Sequence, residues 1–251
     1  MMPAPARLEQ VFSHQEKTCS EAKTCLMLDL GREEYEPSLV VQNLVAEWRK
    51  KKKIPDCVIF VEYPHLITLG RSGSIGHLLA DRSMLEKHGV GFFLADRGGD
   101  ITYHGPGQFI TYPVMDLKEW RRDVGCYLRS LEHCIINTLA DFGVLSDSIP
   151  GLTGVWVGDK KIASIGIRTS QWVTSHGLAL NVSPDLSYFD LIVPCGLTSK
   201  GVTSMMETLG TVVDTSEIKR RFCVHFSQIF ERDLAPWRAV SVGWQTTGCF
   251  A

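Results

Sequence analysis

The sequence has no apolar run long enough to suggest a membrane span and no excess of charge: 26 Lys and Arg stand against 28 Asp and Glu, a formal net charge of −2. No membrane association is therefore expected, and no overall basic field exists to recruit nucleic acid. A small molecule or another protein is the expected partner. The eight cysteines contain no Cys-x-x-Cys pair and are scattered at Cys19, Cys25, Cys57, Cys126, Cys134, Cys195, Cys223 and Cys249. Neither a metal site nor a redox motif is expected, and most thiols should be buried, reduced and apolar in behaviour. The first residues mix Arg7 and Lys17 with Glu9 and Glu16 and lack an apolar core before a small-residue cleavage site. They fit neither a secretory signal nor an acid-poor transit peptide, so an interior, reducing compartment is expected, the cytoplasm. Repeats, low-complexity tracts and Pro/Gly/Ser-rich linkers are missing as well. The 251 residues should form one domain with core enough to shape a cleft.

What the sequence does carry is a series of amphipathic segments. Residues 37–53 read as a helix because Val41, Leu44, Val45 and Trp48 fall at i, i+3, i+4 and i+7, with Pro37 in the first turn. Its basic end, Arg49 to Lys53, complements the helix dipole and is expected to be a solvated face; the sharper alternative is a landing patch for an acidic carrier protein. Strands are expected over 57–61, 91–95 and 109–114. A helix over 122–142 follows, with Leu128, Leu131, Ile135, Leu139 and Phe142 on its apolar side and Gly143 as a left-handed cap. Gly158-Asp159 should join 155–157 to 161–167 as a hairpin, with a further strand over 172–182. A last helix opens with the capping-box pattern Asp214-Thr215-Ser216-Glu217 and carries Ile218, Phe222, Phe226, Ile229 and Phe230. Helices and strands interspersed without strict alternation indicate the α+β class, with a mixed or antiparallel sheet.

Three segments break these local patterns and are where chemistry is sought. In residues 97–108, four glycines let the backbone pass close to a ligand and present free N–H groups. The segment lacks the Lys-Ser/Thr ending of a P-loop and the spacing of a dinucleotide fingerprint; a tight double turn with a satisfied histidine is the bland alternative. In residues 161–168, strict alternation puts Lys161 on the face of Ala163, Ile165 and Ile167. Such a lysine either snorkels at the strand end or is desolvated and able to accept a proton. In residues 192–197, Pro194 and Gly196 fix the turn around Cys195. A lone cysteine is ordinarily inert core, and only a neighbouring cation or base makes it a nucleophile. A thiol, a possible base and a glycine-rich donor surface are the three parts of an acyl-transfer site.

Four motifs together resemble the octanoyltransferase, or lipoyl(octanoyl) transferase, family: Arg97-Gly-Gly-x-x-Thr-Tyr-His-Gly-Pro-Gly-Gln108, Lys161-Ile-Ala-x-Ile-Gly-x-Arg168, His176-Gly-Leu-Ala-Leu-Asn181, and Pro194-Cys-Gly196 with Val202-Thr-Ser204 behind it. The resemblance covers roughly residues 25–235. It implies a catalytic domain over 25–235, an N-terminal extension over 1–24 and a C-terminal tail over 236–251. The implied fold is that of the biotin and lipoate protein ligase catalytic module, mixed sheets flanked by helices. The implied activity is transfer of an octanoyl group from acyl carrier protein to lipoyl domains of 2-oxoacid dehydrogenases and of the glycine cleavage system's H protein, without ATP or another cofactor. Cys195 is implied to be the thioester nucleophile and Lys161 the residue that depresses its pKa and shuttles protons. Carried over position by position, the substrate-binding residues are Arg97, Gly98, Gly99, Asp100, Ile101, Thr102, Tyr103 and His104, then Ser164, Ile165 and Gly166, then Gly177, Leu178 and Ala179. Two other readings stand beside this one: an ATP-dependent lipoate or biotin ligase, which does not need Cys195, and a non-catalytic scaffold that binds lipoyl domains.

Overall fold

The computed structural model describes residues 23–194 and 200–237. Strand β1 (Thr24–Arg32) runs parallel to β2 (Asp56–Glu62) on one side and to β12 (Asp233–Pro236) on the other. From β2 the large sheet continues antiparallel through β6 (Gln108–Val114), β10 (Val173–Asn181), β9 (Lys160–Ser170), β8 (Leu152–Val157) and β7 (Asp147–Ile149). The short β11 (Gly201–Val202) adds in parallel to β9. A separate three-stranded sheet has the order β4 (Gly91–Leu94), β3 (Leu66–Leu69), β5 (Ile101–His104). The mixed-sheet α+β expectation holds.

Three apolar clusters hold these layers together. Helix α3 (Val124–Ala140) and helix α5 (Thr215–Phe230) cover one face of the large sheet, where Leu131, Ile135, Phe222 and Phe226 meet Phe109, Ile162 and Leu180. Helix α1 (Tyr35–Lys50) covers the other face, placing Val41, Val45 and Trp48 against Ile59, Ile110 and Tyr112. Each fully buried side chain of this size contributes about 1.5–3 kcal/mol relative to exposure. The small sheet has its own core, Ile67, Ile101 and Tyr103 against Phe189 and Leu191 of the 3-10 turn Leu186–Leu191. Two shorter helices, α2 (Arg82–Lys87) and α4 (Met205–Leu209), complete the described chain.

Local signals account for most of the element ends. Asp123 caps α3 through the Cys126 N–H at 2.8 Å, and Gly143 takes a left-handed φ of 77° just beyond it. Asp214 caps α5 through the Ser216 N–H, while Glu217 turns its carboxylate to Arg220 and Arg221. The hairpin at Gly158-Asp159 forms with Val157 paired to Lys160.

Two expectations are corrected. The basic run is not one solvated face. Helix α1 stops at Lys50 because Lys52 adopts a φ of 54° and the Lys53 N–H bonds back to the Trp48 carbonyl, a Schellman-type ending. Arg49 turns inward instead, with its Nε 2.7 Å from Asp56 Oδ1 and its Nη2 on Glu119, while Arg232 Nε holds Asp56 Oδ2 at 2.7 Å. The alternation assumed at Lys161 also fails. Val155 pairs with Ala163 but the next residue, Trp156, pairs with Lys161, so β9 carries one extra residue there. Such a bulge breaks the period of two, and Lys161 leaves the face that Ala163 and Ile165 present to the core.

Candidate active site

A cavity of about 310 Å³ lies where β9 and β10 meet the loop before β5, with β8 on its far side. This is at the lower end of the roughly 300–1,000 Å³ typical of small-ligand sites. Its formation depends on glycine. Gly166 and Gly177 face each other in register across β9 and β10. A side chain at Gly166 would meet the Gly98 carbonyl oxygen at 2.8 Å, and one at Gly177 would meet the Thr111 carbonyl oxygen at 2.3 Å. The bareness of Gly166 lets the glycine-rich loop sit directly on β9, where the Gly98 N–H donates to the Ile167 carbonyl at 2.8 Å, and that of Gly177 admits the backbone of β6.

The stretch expected to be a turn or donor surface is in part a strand. Residues Ile101–His104 pair antiparallel with β3, and their alternation sends Tyr103 into the small-sheet core while Thr102 and His104 line the cavity. Arg97 fastens the loop to β3: its Nη2 donates to the Thr68 carbonyl at 2.9 Å and to Thr68 Oγ1 at 2.7 Å, and its Nη1 to the Asp100 carbonyl at 2.9 Å. Asp100 in turn receives the Ile101 N–H at 2.7 Å and pairs with His77 at 2.6 Å. Burial, with Arg97 adding to it, pushes His104 down to about 3, so this imidazole is neutral.

The basic side of the cavity is Lys161. Its side chain is buried, Nζ donates to the Thr153 carbonyl at 3.2 Å and stands 4.7 Å from the centre of the Trp156 ring. The opposite strand carries His176, which lines the cavity with a φ of 57° in mid-strand. A left-handed non-glycine residue costs about 1 kcal/mol or more and persists only where its surroundings hold it. Here Asp96 Oδ1 holds the His176 Nε2 at 2.6 Å, and Arg168 holds the same carboxylate. Burial lowers the His176 pKa against the opposing pull of Asp96. For Asp96, burial works upward, but the His176 hydrogen bond and the charges of His176 and Arg168 bring the carboxyl below its usual range.

Of the residues singled out from sequence, Arg97, Gly99, Asp100, Ile101, Thr102, His104, Lys161, Ser164, Ile165, Gly166, Gly177, Leu178 and Ala179 line this one cavity. Gly98 and Tyr103 are not among its lining residues, for the reasons given above. Cys195 lies outside the described residues. The five described cysteines are free thiols. Burial pushes Cys25, Cys57 and Cys134 well up, and Cys223 to about 11, which makes these four poor nucleophiles. Sequence reasoning missed Tyr35, Thr68, Tyr112, Thr153 and His176 as cavity residues. His176 adjoins Gly177 in a motif already singled out and Tyr112 belongs to the strand expected over 109–114, whereas Tyr35, Thr68 and Thr153 fall outside every element expected from the sequence.

Residues 34–227 match the model of the lipoyl protein ligase A/B catalytic domain. The chain belongs to this family. An octanoyltransferase of Solibacter usitatus is 52% identical over 214 residues, which cover 85% of this chain and 96% of that one. With further octanoyltransferases at 39–44% identity, this establishes an acyltransferase of lipoyl or octanoyl transfer. Among solved structures, a lipoate-protein ligase A bound with ATP superposes with a TM-score of 0.66 at 16% identity, covering 85% of this chain and 87% of that one. A bipartite lipoate protein ligase of Thermoplasma acidophilum, solved in work on that enzyme and its E2 lipoyl domain, gives 0.66 at 18% identity, covering 85% and 86%. These last two establish the shared fold. Among the described residues, no helix is long and apolar enough to cross a membrane.

Proposed function

We propose that this acyltransferase moves an octanoyl group from octanoyl-acyl carrier protein to a lysine of lipoyl domains, those of 2-oxoacid dehydrogenase complexes and of the glycine cleavage H protein, through a thioester on Cys195. The observation that carries the reading is the buried Lys161 at the wall of a cavity built from glycine-rich segments. In the first half-reaction Lys161 takes the Cys195 proton and the thiolate attacks the carrier thioester. The new carbon–sulfur bond forms, the carrier's breaks, and the departing thiolate collects the proton from the Lys161 ammonium. A cation about 4 Å from a thiolate stabilises it by roughly 4 kcal/mol at an effective dielectric of about 20, ample to ionise a cysteine. In the second half-reaction Lys161, now neutral, takes a proton from the acceptor amine. The amine attacks the Cys195 thioester, and an amide replaces it while the sulfur leaves.

One thioester is exchanged for another, so the acyl group arrives already activated and no nucleotide is needed. Backbone N–H groups of the glycine-rich loop or beside Cys195 are the candidate donors to the oxyanion. Thiol and amine titrate as a coupled pair, so the roles belong to the pair in each half-reaction. The cytoplasm, or the mitochondrial matrix in a eukaryote, is where such carriers and acceptors meet. The test is transfer to an isolated lipoyl domain, followed by the acceptor's mass. The reading predicts an octanoylated lysine with octanoyl-carrier protein as sole donor; octanoylation only from free octanoate and ATP would establish a ligase, and binding without transfer a scaffold.

A further inference from the structure

The cavity accounts for Arg97, Lys161 and the glycines but not for a buried polar bracket behind them. Asn181 ends β10 and stands opposite Gln108, the first residue of β6. Both side chains are buried, as is Thr203. Gln108 Nε2 donates to Asn181 Oδ1 at 2.8 Å, and Asn181 Nδ2 donates to the Thr203 carbonyl at 3.0 Å. The Thr203 N–H then donates to the Lys161 carbonyl at 3.0 Å, continuing the pairing of Val202 with Lys161. On its other side Gln108 Oε1 accepts from His104 Nδ1 at 3.3 Å, and His104 Nε2 accepts from Thr68 Oγ1 at 3.4 Å, the hydroxyl that Arg97 holds.

Only a side-chain amide fits the central place. Gln108 presents a donor and Thr203 a carbonyl, so the residue between them must accept from one and donate to the other. A carboxylate has no donor for the carbonyl, and an apolar side chain leaves both partners unsatisfied in a dry environment. The same demand fixes His104 as the neutral Nδ1–H tautomer, which agrees with its strongly lowered basicity.

We infer that Asn181 is a positioning residue for the transfer reaction: its amide ties the glycine-rich segment to the chain running along Lys161, and thereby sets where the Lys161 ammonium stands. The inference rests on the proposed Cys195–Lys161 reaction. Its experiment uses full-length Asn181→Asp, which keeps the shape and the acceptor but removes the donor to Thr203. Three quantities are read: iodoacetamide alkylation of Cys195 against pH, mapped by peptide mass; kcat and KM for octanoyl-carrier protein; and thermal unfolding.

The expected result is a folded protein whose Cys195 alkylation midpoint rises by about one pH unit. Its kcat falls by about 10²-fold while KM stays nearly constant. A folded variant with wild-type midpoint and kcat overturns the inference. Gln108→Glu, which removes the donor to Asn181 from the other side, carries the same expectation should Asn181→Asp fail to fold. Loss of folding in both variants also overturns it, since the bracket is then core structure alone. If the wild type itself shows neither an acid-shifted Cys195 nor transfer, the proposed reaction fails first. If the wild type shows both and the variants do not move, this inference alone fails.

Discussion

Two charged clusters in this protein have similar chemistry and different surroundings. Around Asp56, the guanidinium groups of Arg49 and Arg232 are almost wholly out of water and each is directed at the same carboxylate, with Glu119 closing the set; none of the four lines the cavity. Around the cavity, Lys161 is buried and Arg97 half-buried, and both hold backbone carbonyls at a wall that a ligand can reach. The first cluster is closed on itself and joins α1 to the start of β2 and to the residue just before β12. The second faces an open volume. Removing a charge from the first should therefore damage folding and spare the chemistry, and removing one from the second should do the reverse.

The largest effect expected on either side is that of Lys161→Ala, which should slow acylation by roughly 10²–10⁴-fold with carrier binding nearly unchanged. Single-turnover acylation at close to the wild-type rate would erase the distinction between the clusters. Asp56→Ala is its counterpart and leaves buried Arg232 without a carboxylate and Arg49 with Glu119 alone, so it should cost about 3–5 kcal/mol in urea unfolding while the turnover of the remaining folded protein stays normal.

A smaller effect separates the clusters by pH. His104 is held neutral in the fold, with its pKa down at about 3 against an ordinary value near 6.5. Between those values the unfolded chain binds a proton that the folded chain does not, so stability is complete above the ordinary value and falls as the solution is acidified. The loss is up to about 1.4 kcal/mol per pH unit. His104→Gln should flatten that slope in urea titrations run from neutral to mildly acidic pH, leaving the part due to His176, whose pKa is lowered in the same direction. The smallest effect belongs to the remaining basic surface. With Arg49 turned inward and Lys50 on Glu47, Lys52→Glu should change the on-rate of an acidic carrier by no more than about twofold at physiological salt. A stopped-flow on-rate that falls tenfold would restore the landing patch.

What could be read in the sequence, and what could not, follows the range of the interactions involved. Helices α1, α3 and α5 were legible because periodicity and caps such as Gly143 and Asp214 act within a few residues. The cavity's glycine-rich segments were legible because glycine at those places marks close approach of backbones, as Gly166 and Gly177 demonstrate. Arg49 was misread since its partners Asp56 and Glu119 are distant or beyond the helix, and a run of like charges carries no sign of which member is buried. The bulge at Lys161 was illegible for a related reason: an extra residue in one strand is defined by its neighbour's register. Strand β5 lay hidden among glycines, although Ile101, Thr102, Tyr103 and His104 already alternate in chemistry. The β9–β10 turn at Gln171-Trp172 has two positive φ values without the Asn or Gly that normally announces them.

The account depends on an acyl group resting on Cys195. Full-length protein is incubated with octanoyl-acyl carrier protein in the absence of any acceptor, and its intact mass is taken before and after hydroxylamine. One octanoyl increment, released by hydroxylamine and missing from Cys195→Ser, is the predicted result. No increment in the wild type, or one that persists in Cys195→Ser, would contradict it.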